Sequence, residues 1–271
     1  MIIIKSARRA TFQLVITVRR LALMSVLLGL FFVSAPVWAY SYSTDFSSDP
    51  GWTTNNAGNF YWDAGAYHVV SIKGADEYSY VALPFDVAGN SFRLSYDIKM
   101  LRSDWASFVS FGINDPGMES IYAWGQLDPN SIQVVYMNVD AGMTASTQYV
   151  NKDGGHYHPG QDQPLPFATD VWYHNELVFD DPADTLTLTV TQRDTGELVG
   201  TQAQVLAGVG EFNDLVRLGV TNYGDHYASG AEADALIDDV NFEVVPEPAT
   251  VTLLGLALTG LVAKVARRRN R

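Results

Sequence analysis

The sequence predicts an all-β domain, a two-sheet antiparallel sandwich or a barrel, set between two non-globular ends. Three observations carry this. Ser91 to Met100 alternates with a period of two: Phe92, Leu94, Tyr96, Ile98 and Met100 fall on one face, Arg93, Ser95, Asp97 and Lys99 on the other. No stretch between Tyr40 and Val245 shows a helical period. Turn-forming groups recur between the apolar runs, among them Asp49-Pro50-Gly51, Ala88-Gly89-Asn90, Asn114-Asp115-Pro116-Gly117, Asp128-Pro129-Asn130, Asp181-Pro182 and Asp194-Thr195-Gly196.

In chain order, strands are expected at 60–63, 66–72, 78–83, 91–100, 105–113, 119–126, 131–139, 145–150, 171–179, 185–191, 196–204, 215–221 and 233–244. In 185–191, Leu186, Leu188 and Val190 alternate with four threonines. About a dozen strands in one domain, with no internal repeat, leave a sandwich or barrel and exclude a propeller or solenoid. The longest stretch without a strand pattern is Asn151 to Asp170.

The ends read differently. Residues 1–20 carry five cations and no acid, Leu21 to Ala35 is uncharged, and Val37 and Ala39 fit a signal-peptidase site. Residues 1–39 are therefore expected to be a signal helix, with an uncleaved anchor as the alternative. The residues after Arg8-Arg9 and Arg19-Arg20 favour the general secretory route over a twin-arginine signal. At the other end, Pro246, Glu247 and Pro248 interrupt regular structure, Ala249 to Ala263 is uncharged, and Lys264 and four arginines close the chain. Snorkelling by Lys264 extends the apolar span over 249–266, about the length of a short transmembrane helix. The arginines place the terminus on the cytoplasmic side and the domain outside.

This tail resembles the PEP-CTERM sorting domain over roughly a tenth of the chain. The resemblance implies that Pro246, Glu247 and Pro248 are read by an exosortase in a Gram-negative bacterium that makes exopolysaccharide. It implies export, membrane anchoring before processing, and a final place at the cell surface or outside. The division expected is 1–39, 40–245 and 246–271.

Residues 40–245 hold seven cations and 29 acids, a net charge of −22, and there is no cysteine. Such a surface repels nucleic acid and anionic polysaccharide and suits divalent cations, neutral glycans or plain solubility. Stability has to come from the core and hydrogen bonds, since no disulfide can form.

Asp45-Phe46 with Asp49-Pro50-Gly51-Trp52, Val171 to Leu177 with Asp184 to Leu188, and Ala235 to Phe242 together resemble the concanavalin A-like jelly rolls. The resemblance implies a jelly-roll sandwich in a family that binds or cleaves polysaccharides, or mediates adhesion. It further implies a structural calcium shared by Asp45 with Asp238 or Asp239. By strand parity Asp238 groups with inward Val240 and Phe242, and a buried carboxylate needs a cation or a donor; solvated carboxylates are the plainer alternative. His156 and His158, with Asp153 or Asp162, have the chemistry for a transition metal. Tyr122 and Trp124, near Gln126, are the expected glycan-facing rings. Glycosidase chemistry needs a spaced carboxylate pair. No Glu-x-Asp-x-x-Glu, nucleophile elbow or phosphate loop is found, so a non-catalytic domain that binds glycan or organises an exopolysaccharide matrix is expected, with a polysaccharide-acting enzyme (glycosidase or lyase) on the same fold and a purely structural surface domain as the alternatives. The expected partners are exosortase, signal peptidase, the membrane and polysaccharide.

Overall fold

The computed structural model of the protein describes residues 40–87, 89–114, 130–139, 142–150, 156–157, 163–206, 212 and 215–245. In chain order the strands are β1 (Ser41–Thr44), β2 (Thr53–Thr54), β3 (Phe60–Asp63), β4 (Ala66–Ser71), β5 (Asp76–Ala82), β6 (Ser91–Ser103), β7 (Ser107–Asn114) and β8 (Ser131–Val139). They continue as β9 (Gly142–Val150), β10 (His156–Tyr157), β11 (Leu165–Pro166), β12 (Trp172–Asp180), β13 (Thr185–Gln192), β14 (Leu198–Val205), β15 (Arg217–Gly224) and β16 (Ala233–Val245). No helix occurs among the described residues, and so none there is long and apolar enough to cross a membrane. The expected signal and transmembrane helices, and the strand expected at 119–126, lie outside the described residues.

The strands form two antiparallel sheets. The first runs β14-β13-β12-β6-β16-β4-β3, with β1 also paired to β16. The second runs β10-β9-β8-β7-β15-β5-β2, with β11 paired to β9. This is the two-sheet jelly-roll sandwich anticipated above. Ala39–Val245 forms one compact unit.

The alternation in β6 works as its pattern requires: Phe92, Leu94, Tyr96, Ile98 and Met100 are wholly buried. They join one core with Val109, Phe111 and Ile113 of β7 and Ile132, Val134 and Tyr136 of β8. Each such side chain contributes about 1.5–3 kcal/mol of burial. Two buried hydroxyls cross this core, because a buried polar group must find a partner. Tyr96 and Tyr136 bond each other at 2.5 Å, and Tyr136 donates to Asn175 Oδ1 at 2.9 Å. Burial pushes both hydroxyls above the ordinary tyrosine value.

Two local expectations are corrected. Trp105 was placed in a strand, yet β7 starts only at Ser107 and Ala106 is left-handed at φ 64°. Asp238 was placed inward, yet it points outward. In the β16–β6 ladder Asp238 faces Asp97 and Asn241 faces Ser95, so Asp239 and Val240 share Tyr96 as their partner. This bulge, with Asp239 at φ 47°, resets the parity. Ala233, Ala235 and Ile237 are buried before it, and Val240, Phe242 and Val244 after it. Sequence period alone also passed over β1, β2, β10 and β11. The last two are two-residue strands inside the stretch read as irregular.

Candidate functional site

Exposed rings gather at one end of the sandwich, where β6 turns into β7 and β15 into β16. Trp105 is 62% exposed and Tyr227 92%. Their loops are tied together: Asp225 N donates to Ala106 O at 3.0 Å, and Asp104 N to Glu232 O at 2.8 Å. Ser107 Oγ reaches the Asp104 and Glu232 carbonyls, each at 2.8 Å. The β4–β5 turn joins the same end through Gly74 N to Gly224 O at 2.8 Å. It contributes Ile72, which is 49% exposed. Gly224 is required here, because a β-carbon would collide with the Ile72 carbonyl.

Carboxylates rim the rings. Asp225 Oδ1 accepts the amides of Tyr227 at 2.6 Å and Ala228 at 2.7 Å, which holds its carboxyl below the usual range. That Asx-type turn fixes the backbone that presents Tyr227. Arg102 pairs with Asp104 at 2.5 Å and with Glu232. Asn138 at the end of β8 donates to Ser103 O at 2.8 Å and bridges to Trp105.

Next to this end, on the outer face of the second sheet, Phe108 stacks on Tyr223 with ring centroids 5.1 Å apart, packed with Val135 and Met137. Further along the face, Ser110 Oγ donates to Gln133 Oε1 at 2.7 Å and also bonds the Thr221 hydroxyl. No Asp, Glu, Lys or Arg occurs in β7, β8 or β9. In β15 the lone charge is Arg217, whose guanidinium lies 4.2 Å from the Tyr80 ring centroid. Ser110, Gln133 and Thr221 are enclosed, so the accessible part of this region is the loop end with its rings.

The first sheet carries a different cluster. Asp97, only 4% exposed at its side chain, receives His174 Nδ1 at 2.7 Å and Arg193 Nη1 at 3.1 Å. Arg193 also lies 3.4 Å from Asp238 and packs on the Trp172 ring at 4.3 Å. The bond to Asp97 holds the His174 imidazole above its usual value, against opposing burial. Burial pushes Asp238 up. This cluster neutralises a buried carboxylate, and structural cohesion is what its chemistry supplies.

Of the residues singled out in the sequence, Tyr122, Trp124, Pro246, Glu247 and Pro248 lie outside the described residues, as do His158, Asp153 and Asp162. His156 falls in β10. Asp45 follows β1, whose Thr44 pairs with Val240, so the backbone brings it to the level of Asp239. Its carboxylate accepts the Ser47 amide at 3.0 Å, which lowers its pKa. Asp238 is engaged by Arg193 and by the Asp239 amide at 2.8 Å. Among the described residues no group of three or more His, Asp or Glu is assembled for a metal. A calcium set needs six to eight oxygens, and at Asp238 the Arg193 guanidinium competes with such a cation. Trp105 was visible in the sequence as one of many tryptophans. Tyr227 sits in Asp225-His226-Tyr227-Ala228-Ser229-Gly230, a turn-rich run whose signal was available and unused.

Residues 244–270 match the PEP-CTERM protein-sorting motif, a match that begins in the last two residues of β16. About three quarters of the chain is similar in fold to lectins. Winged bean acidic lectin, solved with methyl-α-D-galactose, superposes with a TM-score of 0.58 at 14% identity, over 78% of this chain and 100% of that one. Peanut lectin, solved with a nonapeptide, gives 0.54 at 14% identity over the same shares. The carbohydrate recognition domain of Emp47p gives 0.53 at 16% identity, over 76% of this chain and 96% of that one. No curated protein sequence matches the chain. The domain is thus a legume-lectin-like, concanavalin A-like β-sandwich, carried on a chain with a PEP-CTERM sorting motif.

Proposed function

We propose that this is an exported surface protein, sorted by an exosortase, whose sandwich binds neutral glycan without cleaving it and so helps organise an exopolysaccharide matrix. The motif over residues 244–270 supports the sorting half of this reading. The binding half rests on one observation: Trp105 and Tyr227 stand exposed on two loops laced together at one end of the sandwich. Flat rings with an apolar face and a polar rim suit the stacking of sugar rings. The half-exposed acids Asp104 and Glu232 near them offer hydrogen-bond acceptors to hydroxyls and repel anionic polymers. Two structural neighbours, a lectin complexed with methyl-α-D-galactose and a carbohydrate recognition domain, support the same reading.

A glycan array read beside a reducing-sugar assay tests the proposal. Binding to neutral glycans with no release of reducing ends is expected. Release of reducing ends would replace the binding reading with an enzymatic one, and silence in both assays would leave a structural surface domain.

A further inference from the structure

The sorting match starts at Val244, and Val244 and Val245 are also the last two residues of β16. The same backbone thus has two claimants. On one side Val244 pairs with Phe92 and Val245 with Ser91, both in β6. On the other side β1 closes the edge. Ser41 to Thr44 pair with Glu243 to Val240, and the Val244 amide donates to Tyr40 O at 2.8 Å. Val244 is buried at 7% exposure. Side chains hold β1 as well. The Tyr42 hydroxyl accepts from Trp52 Nε1 at 2.8 Å, and the Tyr40 ring stacks on Phe85, which in turn stacks on Phe242. Yet β1 has four residues and its one ladder among the described residues is with β16, so its end opens at lower cost than the sheet beneath.

We propose that β1 is a clamp on the sorting motif, and that exosortase takes the motif only when the Tyr40 end of β1 lifts from β16. This rests on the sorting half of the reading above. An enzyme that reads a peptide in extended form uses the main-chain N–H and C=O groups of that peptide. The Val244 amide faces β1 and is already given to Tyr40. One amide hydrogen serves the sheet or the enzyme, so the two compete. β6 uses the opposite edge of β16 and stays in place throughout. The folded domain therefore shields the start of its own motif, and processing follows the opening of the short β1 ladder.

The test is a reversible lock. The chain has no cysteine, so Ser41→Cys with Glu243→Cys makes one defined disulfide. Next to the Val244–Tyr40 bond, Ser41 and Glu243 form a non-hydrogen-bonded pair, whose Cα atoms lie about 4.5 Å apart, a span that a disulfide bridges. Full-length chains made in a bacterium that carries an exosortase are followed by pulse–chase and mass. The locked form is expected to be processed about tenfold more slowly than the unmodified protein, and reductant to restore the rate. Ser41→Cys alone should behave as the unmodified protein. A second variant carries Gly-Ser-Gly-Ser-Val-Val between Val245 and Pro246, which repeats the two valines outside the sheet; it should be processed equally fast locked and unlocked. Equal rates for the locked and unmodified proteins overturn the clamp, as does a lock that still slows the variant with the insert. An unmodified protein that is never processed overturns the sorting reading and the clamp together. None of these results bears on glycan binding.

Discussion

Replacing Asp97 by asparagine removes one charge from beneath the outer face of the first sheet and strands two cations. Asp97 is nearly inaccessible, and it accepts from His174 at 2.7 Å and Arg193 at 3.1 Å. A hydrogen bond to a charged group contributes about 1.5–3 kcal/mol. The amide keeps one acceptor and turns a donor toward a cation, so one bond is lost and the other weakened. His174 and Arg193 are 43% and 34% exposed at their side chains, and water recovers part of the loss. The net cost is about 2–3 kcal/mol, or roughly 5–10 °C of melting temperature for a domain of this size. A pH signature accompanies it. His174 is held above its ordinary value of 6.5, chiefly by the bond to Asp97. The stability it adds is complete below the unfolded value and is lost as pH rises through the folded one. Glu176 and Asp239 act on His174 in the same direction but more weakly. Calorimetric melting on both sides of that window should show the unmodified protein losing stability as pH rises, and Asp97→Asn losing most of that slope. A melting temperature unchanged by the substitution, or an identical pH slope, would refute the reasoning.

Two further outcomes are expected. Gly224→Ala pushes a β-carbon against the Ile72 and Ala231 carbonyls, and overpacking of this kind costs about 1–3 kcal/mol; an unaltered melting temperature would contradict the close approach. Adding a chelator should leave the melting temperature of the unmodified protein in place, because Asp238 is matched by Arg193 and no described donor set is assembled. Removal of a tightly bound ion would cost about 3 kcal/mol and shift the melt visibly, which would restore the calcium implied by the sequence resemblance.

The fold was legible wherever a local pattern decides it. β6, β12, β13 and β16 each bury one alternating face, and that alternation is written in the chain. It fails at Asp238, since a bulge adds a residue without a local sequence mark and reverses every direction after it. It fails at Trp105 for a related reason: the left-handed Ala106 detaches the tryptophan from an apolar run that otherwise reads as strand. The Asp97 cluster could not be foreseen. Its partners lie 77 and 96 residues away in sequence and meet only through the β12–β6 pairing and the turn beyond β13. The loop end with Trp105 and Tyr227 is likewise a meeting of distant segments, joined by the backbone bonds from Asp225 to Ala106 and from Asp104 to Glu232. The sorting motif is contiguous, which is why its residues could be read outright.

Affinity for a neutral glycan, compared between the unmodified protein and the Trp105→Ala and Tyr227→Ala variants by calorimetric titration, tests the binding site most directly. Loss of either ring should weaken binding about tenfold, equivalent to about 1.4 kcal/mol, with the melting temperature unchanged because both rings are exposed. Equal affinities in all three proteins would contradict the account.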